Sequence, residues 1–315
     1  MGFLTSGLHR ISADVYHGDP CERPSLSSTI ARILLDQSPL HAWTASPRLN
    51  PMWEPTDSKT FDIGRAAHRA VLGAGGDYEA IPAELLASNG AASTKAAREW
   101  IDDARARGVT PLKADEVDKI GDIAEVVRAK LSLMGMVIDP AHSETVAIAE
   151  IDGVMCRAMV DYAPPKRRWL LDLKTTQDAS VDACIRSVVA YGYDVQAAHY
   201  LDVWKAATGE TRTMRFAFIE KAPPYEVSVI ELHDSANDEA DWMMTARSKA
   251  AEARRIWGEC LLSNTWPGYP AQIAVVGAPA WHNTKWAERS VGGDRQKPTP
   301  ETLARTAAWQ APIGA

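Results

Sequence analysis

The first half of the chain carries its apolar residues at helical spacing, and the middle carries them at alternate positions. After Pro24, "SLSSTIARILLDQ" reads as a capped helix that stops before Ser38-Pro39. The stretch "SKTFDIGRAAHRAVLG" (58–73) gives a second helix, with Ile63, Ala66, Ala67, Ala70 and Val71 on one face and Gly73 at its end. Two charged amphipathic helices are expected near 93–107 and 114–134, their mixed charges reading as solvated surface. The spacing then shortens to that of strands. "ETVAIAEI" and "VMCRAMVDY" flank Asp152-Gly153, a hairpin signal, and the more apolar "RRWLLDLKT" is expected to form a central strand. Helices around 180–190 and 194–207, strands in "TRTMRFAFIE" and "YEVSVIEL", and a long helix near 235–261 complete the order. This order predicts an α/β domain on a mixed sheet, with an N-terminal helical part (about 1–140) ahead of a core (about 141–265). Residues 282–315 mix Gly, Pro, Thr and charge without a sustained apolar face and read as a flexible tail.

"WLLDLKTT" raises a chemical question, because a run apolar enough for a buried strand ends in a carboxylate and an amine one residue apart. Strand side chains alternate, so Asp172 and Lys174 face one way while Leu171 and Leu173 face the other. On the preceding strand Asp161 shares a face with Arg157 and Met159, and pairing near the strand ends brings its carboxylate toward that of Asp172. Two such carboxylates resist ionising together unless a divalent cation lies between them, and a hard cation prefers oxygen donors of this kind. Lys174 then offsets charge on a phosphate or acts on water. Taken by itself, D-x-K is compatible with a surface ion pair at a strand end.

Composition narrows the field. The chain has 315 residues, 46% hydrophobic and 24% charged, as expected of a soluble globular protein. No apolar run is long enough to cross a bilayer and the start lacks a secretory pattern, so a cytoplasmic protein with no membrane partner is expected. The four cysteines Cys21, Cys156, Cys184 and Cys260 are widely spaced and read as buried thiols, which argues against zinc or iron–sulfur sites. A net charge of −7 argues against a protein that coats nucleic acid through its global field, yet leaves room for a local basic channel. The absence of a G-x-x-x-x-G-K-[ST] loop argues against an ATP-driven motor.

An aspartate at the end of a hairpin strand, followed by D-x-K at the end of an apolar strand, is the arrangement of the PD-(D/E)xK nuclease superfamily. The chain resembles the RecE-type exonucleases (exonuclease VIII), a phage and prophage branch related to lambda exonuclease and the RecB nuclease domain. "SLSSTIARILLDQSPLHAWTA" resembles the serine-led helix of that branch, and "FDIGRAAHRAVLG" resembles its G-x-x-x-H motif, which makes His68 a metal ligand. "HSETVAIAEIDGVMCRAMVDY" is similar to the segment carrying an upstream glutamate and the metal-binding aspartate, here Glu144 and Asp161; Glu150 competes with Glu144 for that place. "LLDLKTTQDAS" supplies Asp172 and Lys174, and "YGYDVQAAHYLD" is similar to a Q-x-x-x-Y motif, giving Gln196 and Tyr200 as DNA-binding or catalytic-support residues. Relatives carry an arginine two residues before the metal-binding aspartate. Met159 stands there in this chain, with Arg157 two residues earlier on the same face as the alternative phosphate contact, and the basic turn Lys166-Arg167-Arg168 reads as solvated.

The resemblance implies a PD-(D/E)xK core within an exonuclease domain spanning residues 1–281, holding Mg²⁺, with Mn²⁺ as an alternative, on Asp161, Asp172, His68 and the Leu173 carbonyl. It implies 5′ to 3′ digestion of one strand from double-stranded DNA ends, a homo-oligomeric ring and a single-strand annealing protein as partner. An endonuclease of the same superfamily and a silent DNA- or partner-binding module are the alternatives.

Overall fold

The computed structural model describes residues 2–54, 59–235, 238 and 241–291. It divides into two units, Met1–Gly268 and Tyr269–Ala315, and the elements that concern the site all belong to the first. The N-terminal part holds strand β1 (Gly7–His9) and helices α1 (Ala13–His17), α2 (Ser28–Asp36), α3 (Pro39–Thr44) and α4 (Lys59–Leu72). Strand β2 (Tyr78–Ala80), helix α5 (Lys95–Ala106), strand β3 (Thr110–Leu112) and helix α6 (Ala114–Leu133) follow. The core then runs β4 (Ser143–Ile151), β5 (Val154–Tyr162), β6 (Trp169–Thr176), α7 (Val181–Tyr191), α8 (Tyr193–Thr208), β7 (Thr213–Glu220), β8 (Val227–Glu231) and α9 (Trp242–Ser263).

Six strands form one mixed sheet in the order β1-β4-β5-β6-β7-β8. Asp152 and Gly153 both take positive φ, 51° and 79°, the geometry that lets a two-residue turn match the twist of its strands, so β4 and β5 pair as the expected hairpin. β6 is central and pairs in parallel with β7, a connection that needs the α7–α8 crossover. α2, α7, α8 and α9 pack on one face around Leu170, Phe216, Phe218 and Trp257. α4 and α6 cover the other face around Leu171, Leu173, Ala217 and Ile219. Residues 170 to 173 of β6 therefore alternate between two cores, and Asp172 falls on the side of α8.

Several expectations need correcting. The N-terminal part is not purely helical: β1 joins the main sheet antiparallel to β4, and β2 with β3 makes a small parallel pair. The helix near 114–134 is not mere solvated surface, because it buries Ile120, Ile123, Ala124, Val127 and Leu131. The long C-terminal helix starts at Trp242, not near 235, where Asp241 accepts from the Met244 N–H and caps it. Ser38 likewise caps α3, a short helix that the sequence pattern did not reveal. Overlapping the start of the stretch read as a tail, residues Ala280–Val291 form helix α10; residues 292–315 lie outside the described residues, as does residue 58 at the start of the expected second helix. All four cysteines are free and buried, as expected.

Candidate active site

β5 and β6 pair at Tyr162 opposite Leu171, and one step along that register sets Asp161 against Asp172. On the other side of β5, Ser143 faces Tyr162 and Thr145 faces Val160, which brackets Glu144 against Asp161. Glu144 sits at φ 49°, a conformation that side chains rarely adopt, and here the backbone breaks the ladder beside the acid cluster. Glu150, at the far end of β4, is instead exposed and bonded to Arg23 at 2.6 Å. The strands thus converge three carboxylates at one corner of the sheet.

Each carboxylate has a distinct set of partners. Asp161 Oδ2 accepts from the Leu173 N–H at 2.7 Å, a bond available because β5 and β6 do not continue their ladder there. Asp172 Oδ2 accepts from the Gln196 amide at 2.7 Å, and its Oδ1 is ion-paired with the Lys174 ammonium. Tyr200 follows Gln196 one turn further along α8 and is buried, so the two motif residues share the helix face that meets Asp172. Burial pushes the Tyr200 hydroxyl well above its ordinary pKa, which keeps it a neutral donor. Tyr193, at the start of α8, presents its ring to Lys174 with the ammonium 4.4 Å from the centroid. The sequence reading missed this residue, since a ring beside a lysine is set by the tertiary fold.

His68 reaches the cluster from α4. Its Nε2–H donates to the Leu173 carbonyl at 2.9 Å, and Nδ1 stands 3.6 Å from Asp161 Oδ2. Desolvation holds the imidazole below its ordinary pKa, against the pull of Asp172, so it is neutral near pH 7 and turns a lone pair toward a carboxylate. Burial first, and the Asp172 charge second, raise Asp161 well above the usual carboxylate range. Burial also raises Glu144. Desolvation pulls Lys174 down, but Asp172, Tyr193 and Asp161 together outweigh it and hold the ammonium charged.

Among the described residues no three His, Cys, Asp or Glu side chains close into a ready metal cage. The reason is visible, because Asp172 is turned onto Gln196 and Lys174 while Asp161 is turned onto Leu173. The donor set nonetheless fits a hard divalent cation: two carboxylates in register, a main-chain carbonyl, and an imidazole nitrogen 3.6 Å from a carboxylate oxygen.

Arg157 is not brought to the cluster. It is 3% exposed and donates to the Ser25 carbonyl and hydroxyl, with Asp19 as its counter-ion at 3.2 Å, so it ties the segment before α2 to β5. Lys166, Arg167 and Arg168 lie on an exposed turn, as expected.

A mixed sheet sandwiched by helices, with an aspartate and D-x-K on adjacent central strands, defines a PD-(D/E)xK nuclease core. Residues 35–277 match the profile of the PDDEXK-like domain of unknown function (DUF3799), and the chain belongs to that family. None of the curated proteins matches. Among solved structures, a candidate exonuclease from Eubacterium rectale is 14% identical with a TM-score of 0.57, over 86% of this chain and 96% of its own. A phage-related exonuclease from Haemophilus somnus is 12% identical with a TM-score of 0.31, over 55% of this chain and 85% of its own. The Eubacterium structure shares the fold with this chain.

Proposed function

We propose that the protein is a divalent-metal-dependent deoxyribonuclease of the RecE type, digesting one strand of linear double-stranded DNA from its ends. The observation that carries this reading is the juxtaposition of Asp161 and Asp172 with Lys174 and the His68–Leu173 pair at one corner of the sheet. The exonuclease description of the Eubacterium rectale protein, which has this fold, lends support. Asp161, Asp172, His68 and the Leu173 carbonyl would hold the cation, Mg²⁺ first and Mn²⁺ as the alternative. There it supplies charge neutralisation of the phosphodiester and a water of lowered pKa.

The protein's own groups do the rest. The Leu173 N–H fixes one oxygen of Asp161, and Gln196 fixes one oxygen of Asp172. Lys174 carries its charge to neutral pH and serves first as a donor to the phosphate. Glu144 adds a third acid beside His68 to accept a proton or a hydrogen bond from water. The proposed direction is 5′ to 3′, leaving 3′ tails for a single-strand annealing protein, with a homo-oligomeric ring gathering scattered basic residues around the duplex.

A time course on linear, closed circular and end-blocked duplexes, with and without Mg²⁺, tests the reading. Metal-dependent loss of linear DNA alone is the expected result, with end labels fixing direction. Cleavage of closed circles would make the protein an endonuclease, and binding without cleavage would make it a silent DNA-binding module.

A further inference from the structure

A lysine is a poor positioner of its own charge. Its four-carbon stem has many rotamers, and a reaction that needs an ammonium at a fixed point needs that stem restrained. In this site Asp172 is one restraint. If Asp172 is also drawn into holding a cation, as the proposed function requires, its hold on the lysine weakens at the moment the lysine must be in place.

A second restraint is built in. Lys174 Nζ lies 4.4 Å from the centre of the Tyr193 ring and 5.8 Å from that of Phe216. The Tyr193 ring is itself fixed, stacked on Phe216 at 5.7 Å with planes 27° apart and tilted against Phe218 at 6.1 Å. Phe216 and Phe218 are fully buried core residues of β7, the strand paired in register with β6, which places Phe216 beside Asp172 and Phe218 beside Lys174. Gly192 reverses the chain at φ 62° between α7 and α8 and delivers Tyr193 to this spot. Gln196 follows it one turn later and holds Asp172. A single helical turn therefore presents a ring face to the ammonium and an amide to the carboxylate.

We propose that Tyr193 is a positioning residue for Lys174, its ring face holding the ammonium in place when the Asp172 carboxylate is engaged elsewhere. The inference rests on the nuclease reading, in which Lys174 acts on the phosphodiester. The ring face is the operative part, and the hydroxyl is dispensable. An aromatic quadrupole attracts a cation most strongly where water is excluded, as it is against Phe216.

The test compares Tyr193→Phe, which keeps the ring face, with Tyr193→Leu, which keeps apolar bulk against Phe216 but has no π system. In the full-length protein the leucine variant should lose kcat by about tenfold with KM for linear duplex unchanged, and the phenylalanine variant should stay within about twofold of wild type. A second readout needs neither metal nor DNA. In lysine-labelled protein, the Lys174 ε-methylene protons, identified by their disappearance in Lys174→Arg, should be displaced upfield by the ring in wild type and Tyr193→Phe. In Tyr193→Leu they should return to the ordinary position. Should the leucine variant fail to fold, Tyr193→Met takes its place. Wild-type kcat in the leucine variant, an equal loss in both variants, or an undisplaced Lys174 resonance in wild type each overturns the proposal. A wild-type protein that cleaves nothing would instead overturn the nuclease reading, with the resonance still deciding the ring contact.

Discussion

Asp172→Ala takes away the carboxylate that Gln196 and Lys174 both hold, and it relieves the repulsion that raises Asp161. Cleavage should fall by on the order of a hundredfold or more while the metal-free fold holds, which a cleavage assay beside a thermal melt checks; wild-type turnover would refute the site. Asp161→Asn keeps an oxygen to accept from the Leu173 N–H but cannot ionise. The sign of its pH effect follows from linkage. The Asp161 pKa is higher in the folded than in the unfolded state, so its favourable contribution is complete below the ordinary carboxylate pKa and is lost as pH rises through the raised value. Unfolding of metal-free protein should thus show Asp161→Asn gaining on wild type as pH climbs across that window, with Mg²⁺ shrinking the gain. Parallel pH profiles for the two proteins would contradict it. Asp161, Asp172 and Lys174 were legible in the sequence because strand alternation and a hairpin register are local rules. Arg157 was legible only as a residue on the same face: its counter-ion Asp19 and its acceptor Ser25 lie on a distant loop, and no local rule shows that they consume it.

At the scale of elements, the hairpin, the central strand and the α7–α8 crossover were readable because each has a strong internal signal, the Asp152-Gly153 turn above all. The short elements were not. β1 has three residues and exists because β4 offers it an edge, and α6 announces its charged face while the five residues it buries need α4 to be understood as core. The junction between α7 and α8 carries the sharpest element-level test. Gly192 closes α7 with its N–H bonded to the Val188 carbonyl and takes φ 62°, and a Cβ there would lie 2.8 Å from Cδ of the Arg32 side chain, which would have to shift. Gly192→Ala should cost about 1–2 kcal/mol of stability from the left-handed backbone alone. Because Tyr193 and Gln196 hang from this turn, the rate should fall along with the melting temperature. A variant less stable but fully active at low temperature would show that the turn serves folding and not the site.

The whole molecule raises the question of how much chain the chemistry needs. The acid cluster, the helices that carry His68 and Gln196, and both large cores lie within Met1–Gly268, and the family profile ends at residue 277. No helix among the described residues is long and apolar enough to cross a membrane. Beyond the family profile, Trp281 and Trp286 are exposed, large apolar rings that a stretch built only for solvation would not carry. Deleting residues 279–315 should leave the melting transition and the cleavage of short linear duplexes nearly unchanged, since no proposed ligand and no element of the first unit is removed. If those apolar residues anchor another copy or an annealing protein, the same deletion should lower the mass seen by light scattering or abolish capture of that partner. Cleavage lost with assembly intact would mean that the C-terminal segment completes the site, and the catalytic unit would then have to be drawn beyond residue 281.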